Sequence, residues 1–145
     1  MKPAVSVIIL IAILSACTPK PEPLAYNSDT CHACKMTLTD EKYGAELVTT
    51  KGKVFKFDDI NCMVNFFNSG DVAETDIAFK LVMDYSNPAR GLFPADEAFY
   101  LFSDQLRSPM ASEVAAFEKE DSMKAMKKKI GGIYLGWGEL KTQFK

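Results

Sequence analysis

The residues best suited to chemistry stand together in the segment Cys31-His32-Ala33-Cys34-Lys35-Met36. Two thiolates spaced Cys-x-x-Cys can face one metal ion from a single turn, and the thioether of Met36 follows at once. Thiolate and thioether sulfur are polarisable ligands that favour Cu(I) over hard cations. His32 is the only histidine of the chain, and its imidazole is a further candidate ligand. The segment therefore predicts a sulfur-rich site for Cu(I).

Other sulfur donors occur at two places further along the chain. Cys62 and Met63 fall in a segment of helical periodicity, in which Met63 lies on the apolar face and Cys62 lies ~100° away from it. Taken alone, Met63 is more typical of a core residue, whereas Cys62 is either a buried thiol or a third sulfur for the first cluster. Met110 follows Pro109 in a predicted loop, so it is also a candidate ligand. We expect Met83, Met123 and Met126 to pack in the interior.

Three other interpretations of the cysteine pair compete with a copper site. A thioredoxin-like redox pair requires a strand-to-helix junction within a βαβ unit, but here the pair precedes a predicted hairpin. Structural zinc requires four ligands, and the chain has a single histidine and no second Cys-x-x-Cys pair. A plain disulfide between Cys31 and Cys34 stays open as the structural alternative.

The N-terminal residues predict export and lipidation. An apolar run over residues 5–14 leads into Leu14-Ser15-Ala16-Cys17, which matches the bacterial lipobox. We therefore expect a signal peptide over residues 1–16 and then a tether rich in proline over residues 17–28. Cys17 would carry acyl chains such as palmitate, and a soluble metal-binding domain would follow over residues 29–145. This arrangement predicts a lipid-anchored protein of the cell envelope that faces the periplasm.

The charge of the chain gives no electrostatic case for nucleic-acid binding. It carries 17 basic and 19 acidic side chains, and removing residues 1–16 takes away Lys2, which moves the formal net charge from −2 to −3. The predicted contact with a membrane therefore depends on the lipid at Cys17 rather than on a basic patch.

The elements that position these residues follow from hydrophobic periodicity and turn residues. Alternation predicts a hairpin over residues 43–57, a helix from the aspartate caps Asp58-Asp59 to Gly70, and a third strand over residues 77–83. A buried strand over residues 98–102 and a last strand over residues 133–135 follow. Between them we predict two short helices broken near Asp121-Ser122, because Val114 and Phe117 share one face whereas Met123, Met126 and Ile130 share a nearly opposite one. The element order indicates an α+β fold with two similar halves in one compact domain.

Several motifs together resemble the NosL family of copper-binding lipoproteins. They occur in the same order over nearly the whole mature chain: Cys31-x-x-Cys34-x-Met36, Phe57-Asp-Asp-Ile-Asn-Cys-Met63, Pro109-Met110 with Ala116-Phe117, and Gly131-Gly132. Two positions depart from the family pattern. Lys35 stands where a small residue, commonly glycine, is expected, and Ile130 stands where a histidine is frequent.

The resemblance implies a fold, a site and a role. The fold would have two ββαβ-type halves related to the organomercurial-lyase fold. The role would be that of a carrier, not an enzyme, which delivers Cu(I) to a periplasmic copper enzyme, namely nitrous oxide reductase or its maturation complex. A thiol-disulfide oxidoreductase, a lyase-like enzyme and a tethered structural lipoprotein are the alternatives. The implied metal ligands are Cys31, Cys34, Met36, Cys62, Met63 and Met110.

Overall fold

Two antiparallel sheets and three helices make up the computed structural model, which describes residues 18–144. The first sheet has the strand order β2-β1-β3-β4 and the second has the order β6-β5-β7. The strands are β1 (Ala45–Thr49), β2 (Val54–Phe57), β3 (Ile77–Met83), β4 (Leu92–Pro94), β5 (Phe99–Phe102), β6 (Val114–Phe117) and β7 (Ile133–Leu135). The helices are α1 (Ile60–Ser69), α2 (Glu120–Ile130) and α3 (Trp137–Gln143). None of these helices is long and apolar enough to cross a bilayer.

The two halves of the chain repeat one arrangement. In each half the order is strand, strand, helix, strand, and the first strand lies in the middle with the other two hydrogen-bonded on either side. Side chains from both sheets share one apolar core, which includes Leu47 and Phe57 from the first half and Tyr100 and Ala116 from the second. The predicted α+β class is therefore confirmed.

The segment around Val114 is a strand, so the helix predicted there is wrong. β6 pairs with β5 in the register Phe99↔Phe117 to Phe102↔Val114, and all four of its residues are buried. A short apolar run buried on both faces shows no alternation, so periodicity cannot distinguish it from a turn of helix. α2 then begins at Glu120 as a single helix.

The elements around the cysteines agree closely with the prediction. β1 and β2 form the hairpin, and β3 spans exactly the predicted residues. α1 begins after Asp59 and ends at Gly70, whose φ of 74° is the left-handed conformation that glycine adopts without steric cost. α1 packs against β1 and β2, which places its first turn at the edge where Cys62 can meet the cysteine loop.

The segment from Pro21 to Ser28 packs on the first sheet rather than standing free as a tether. Leu24 and Tyr26 contact the apolar core, and the backbone N–H of Glu22 donates to the carboxylate of Glu46 on β1 at 3.1 Å. The ordered unit therefore includes residues ahead of the predicted boundary at residue 29. The predicted signal peptide and Cys17 lie outside the described residues.

Candidate metal site

The cysteine pair lies in a tight loop just before the first sheet. The N–H of Cys31 donates to the carbonyl of Met36 at 2.8 Å, and the N–H of Lys35 donates to the carbonyl of Cys31 at 3.0 Å. Lys35 has a φ of 64°, in the left-handed region where a Cβ is disfavoured. These bonds fold the loop back on itself, so both thiols are presented on one side of it.

Two neighbouring elements complete the cluster. The N–H of His32 donates to the carbonyl of Lys56 on β2 at 2.7 Å, which ties the cysteine loop to the hairpin. Asp58 follows β2 directly, and Cys62 lies in the first turn of α1. The loop, the strand end and the helix start therefore converge at one point, although 30 residues lie between Cys31 and Cys62.

Three thiols and one carboxylate meet at this point. The Sγ atoms of Cys31, Cys34 and Cys62 and a carboxylate oxygen of Asp58 all lie within 4.8 Å of one another. Cys31, Cys62 and Asp58 are buried, whereas Cys34 is partly exposed. The three cysteines are free thiols, so the alternative disulfide between Cys31 and Cys34 is not formed in this structure. Such a group can bind one ion, with access past Cys34.

Hydrogen bonding in the cluster favours a thiolate at Cys31. The Cys62 thiol donates to Cys31, and this bond is the main cause that lowers the pKa of Cys31 to about 6; backbone N–H groups of Cys34 and Asp58 assist. The same bond, together with burial, raises the pKa of Cys62. Burial raises the pKa of Cys34 to about 11, and its Sγ lies 3.5 Å and 3.6 Å from the carboxylate oxygens of Asp58. Of the three thiols, Cys31 is therefore the one that the surroundings favour as a thiolate.

This donor set suits a soft metal ion. Thiolates bind Cu(I), and a coordinating ion deprotonates thiols that are neutral in its absence. Asp58 adds an oxygen donor that the sequence analysis did not include in its ligand count. With Asp58 the cluster offers four possible ligand atoms, which is the number that structural zinc requires, so the ligand count does not separate zinc from copper here.

The remaining predicted ligands are not members of the thiol and carboxylate group. Met36 directly follows the loop and is 57% exposed, while Met63 is fully buried in the apolar core. Met110 is partly buried and packs against the core that contains Cys31 and Cys62. The His32 ring packs edge-on against Phe55 and Phe66, with centroid distances of 4.7 Å and 5.0 Å, and is not part of the thiol group. Burial, with help from the nearby charges of Lys35 and Lys53, lowers the pKa of His32.

The profile of the NosL family matches residues 24–144, which is most of the chain. The chain belongs to the NosL family. Its fold is similar to the crystal structure of the copper chaperone NosL from Shewanella denitrificans, with a TM-score of 0.70 and 19% sequence identity. The similarity covers 83% of this chain and 94% of that one. Among curated proteins, none matches this sequence.

The backbone at Lys35 bears on one departure from the expected pattern. Lys35 stands where the resemblance leads us to expect a small residue, and its left-handed φ of 64° is a conformation that glycine adopts without steric cost. The Lys35 ammonium donates to the carbonyl of His32, three residues earlier. This bond stabilises the loop conformation although the residue is not a glycine.

Asp58 is a member of the candidate site that the sequence pattern did not indicate, and Asp59 does not have the role predicted for it. Both were interpreted as helix caps, because aspartates before an apolar helix usually cap it. Asp59 occupies the N-cap position, but its side chain makes no cap hydrogen bond. Asp58 lies one residue before the N-cap, outside the helix, so no helical spacing rule could have paired it with Cys62.

Proposed function

We propose that this protein is a Cu(I) carrier, not an enzyme, that binds the ion with Cys31, Cys34 and Cys62. The observation that carries the proposal is the convergence of the three sulfur atoms and Asp58 within 4.8 Å. Family membership supports it, since the solved NosL protein of similar fold is a copper chaperone. Cu(I) accepts two or three sulfur ligands, so the three thiols suffice and the methionines are available for handover.

Delivery requires that a partner can reach the ion. Cys34 is partly exposed and Met36 is largely exposed, whereas Cys31 and Cys62 are buried. The exposed side therefore offers the sulfurs that an acceptor would replace first, while the buried side holds the ion during exchange. We propose that the acceptor is a periplasmic copper enzyme, specifically nitrous oxide reductase or its maturation complex. The relation to the organomercurial-lyase fold stays a prediction.

The first test is the double substitution Cys31→Ser/Cys34→Ser, with Cu(I) affinity measured by competition against a chromophoric chelator. We expect one Cu(I) per unsubstituted chain. Replacing a residue that only supports a metal ligand lowers metal affinity by up to ~100-fold. Because the double variant removes two ligands themselves, its Cu(I) affinity should fall by more than that. X-ray absorption on the Cu(I)-loaded protein should count at least two sulfur neighbours.

Met123→Leu is the matched control, because Met123 is a buried sulfur in α2 that belongs to a different core cluster. Its affinity for Cu(I) should equal that of the unsubstituted chain. Parallel titrations with Zn(II) decide whether Asp58 makes the site one for a divalent ion. A double cysteine variant that still binds Cu(I) as tightly as the parent would refute the carrier, and turnover in insulin-reduction or organomercurial-cleavage assays would favour an enzyme.

A further inference from the structure

The internal repeat of the fold leaves one strand edge without the cover that its counterpart has. β3 and β7 are the third strands of their halves, and each pairs on one side with the first strand of its own half. The other side of β3 pairs with β4 in the antiparallel register Leu81↔Pro94 to Met83↔Leu92. Within residues 18–144, no strand pairs with the other side of β7. The outward-facing backbone N–H and C=O groups of β7 are therefore available to a further strand.

Exposed apolar side chains lie along this same edge. In the part of the chain that the structure describes, four large apolar side chains are exposed, and two of them, Ile133 and Tyr134, are consecutive on β7 with exposed fractions of 53% and 48%. Neighbouring side chains on a strand point to opposite faces, so each face of the sheet carries one of them at this edge. A groove of about 290 Å³ lies at the start of β7 and is lined by Phe102, Ser103, Asp104, Gly132 and Ile133.

The last turn of α2 adds positive charge beside this groove. The three lysines at 127–129 are exposed, and none of them forms an ion pair with another described residue. The hydroxyl of Ser103, which lines the groove, donates to the carbonyl of Ile130 at 3.4 Å, so the end of the helix adjoins the groove. The carboxylate of Asp104 accepts the side-chain amide of Gln105. The edge of β7 is therefore positively charged on a chain whose formal net charge is −2.

We propose that the outer edge of β7 is a docking site for an extended acidic segment of a partner protein, which pairs with β7 as β4 pairs with β3. The inference goes beyond Cu(I) binding and needs no metal ion. β4 shows the kind of occupant that fits, since it is a short extended stretch in which Phe93 is buried and Leu92 is half-buried. Carboxylates on the segment would complement the lysines at 127–129. A second copy of the chain fits less well, because it would bring the same three positive charges to the interface.

The test is a titration of the metal-free protein with a synthetic peptide, followed by amide NMR. In this peptide, valine alternates with threonine between a pair of glutamates at each end; a matched peptide carries lysines instead of the glutamates. The acidic peptide should shift the amide signals of residues 127–135 and bind roughly tenfold more tightly than the basic one, because exposed charge pairs contribute modestly but together. N-methylation of its central residues removes the N–H groups that pair with β7, so it should abolish binding.

Ile133→Thr examines the apolar part of the edge. Threonine keeps a β-branched side chain but removes apolar area, so the variant should bind the acidic peptide severalfold more weakly. Phe79→Thr is the matched control, because Phe79 is an exposed apolar residue of the first sheet; its binding of the peptide should equal that of the unsubstituted chain.

Lys128→Gln/Lys129→Gln examines the charged part. This double variant should bind the acidic peptide severalfold more weakly and lose part of the preference over the basic peptide. Lys51→Gln/Lys53→Gln changes the net charge by the same amount at exposed positions in the turn between β1 and β2, and should leave peptide binding unchanged.

Several outcomes would overturn the proposal. The amide signals of residues 127–135 could stay unshifted, or the N-methylated peptide could bind as tightly as its parent. Binding of phosphatidylserine vesicles without binding of the peptide would make the edge a membrane surface instead. Dimerisation through β7 that the acidic peptide does not displace would make the occupant a second copy. Because each titration is made without copper, failure of the carrier would show separately, as Cu(I) binding that survives Cys31→Ser/Cys34→Ser.

Discussion

Glu46 carries a buried carboxyl group outside the metal cluster. Glu46 lies on β1, the central strand, and is fully buried. Its Oε1 accepts the N–H of Glu22, but within residues 18–144 its Oε2 has no hydrogen-bond partner. Burial raises the pKa of Glu46 to about 7; the Glu22 and Asp29 carboxylates add to the effect, and Lys56 opposes it. The group is therefore a proton-binding site inside the fold.

We expect Glu46→Gln to flatten part of the pH dependence of stability. Between pH 4.5 and 7 the folded protein keeps the Glu46 proton that the unfolded chain has released, so the free energy of unfolding falls as pH rises through this window. Glutamine has no proton to lose. As the pH rises, the free energy of unfolding of the variant should therefore increase relative to that of the parent, by up to about 3 kcal/mol at pH 8. Urea denaturation of the reduced, metal-free protein at pH 5 and pH 8 measures the difference, and parallel stability curves would contradict the expectation.

At the scale of elements, the N-terminal segment behaves as part of the first sheet. The ammonium of Lys56 on β2 lies 2.8 Å from Asp29 and 3.3 Å from Glu22, and it donates to the carbonyl of Pro23 at 3.1 Å. The backbone carbonyl of Lys56 also accepts from His32 in the cysteine loop. One strand residue thus contacts both the segment that leads toward Cys17 and the loop that carries the thiols.

Gly44→Ala should dislodge this segment. A Cβ at Gly44 would lie 2.5 Å from the Leu24 Cδ1 and 2.5 Å from the Tyr26 hydroxyl, which is too close for any real contact. Overpacking of this kind typically costs about 1–3 kcal/mol. We expect lower stability in urea and faster proteolytic cleavage near Leu24. Gly138→Ala in α3 is the matched control, because nothing lies within 4 Å of its added Cβ; it should not be destabilised.

The two halves of the fold use the same positions differently. Asp58 lies between β2 and α1, and Cys62 is the third residue of that helix; in the second half Glu118 and Ser122 hold the corresponding places. Glu118 forms an ion pair with Arg90 instead of facing thiols. The repeated architecture therefore supports a sulfur site in one half, because only that half carries cysteines.

For the whole molecule, we propose that a lipid on Cys17 would attach the protein to a membrane. Cys17→Ala should move the protein from the membrane fraction to the soluble fraction after cell disruption. In this proposal the acyl chains would supply the membrane affinity, because the chain has no net positive charge to replace them. Cu(I) affinity should be unchanged, since the thiol cluster lies in residues 31–62. A variant that stays with the membrane would contradict the anchor while leaving the copper site untested.

The local patterns were sufficient for most elements. Alternation gave the β1–β2 hairpin and β3, and the position of Gly70 gave the end of α1, because these signals depend on a few neighbouring residues and their periodicity. The approach failed at β6, where burial on both faces removes the alternation on which such a prediction depends. The local pattern also did not predict that residues 21–28 pack on the first sheet, because a segment rich in proline has the composition of a linker.

The sequence alone determined that sulfur chemistry is concentrated at the Cys31–Met36 segment and that Cys62 is the next candidate. Only the tertiary structure decided which groups meet. It brought Asp58 into the cluster, turned Asp59 toward Met110, and packed His32 among phenylalanine rings. The physical reason is that a residue's type and its local spacing set what it can bind, whereas the packing of the cysteine loop, the end of β2 and the start of α1 sets which side chains face one another across a long stretch of chain.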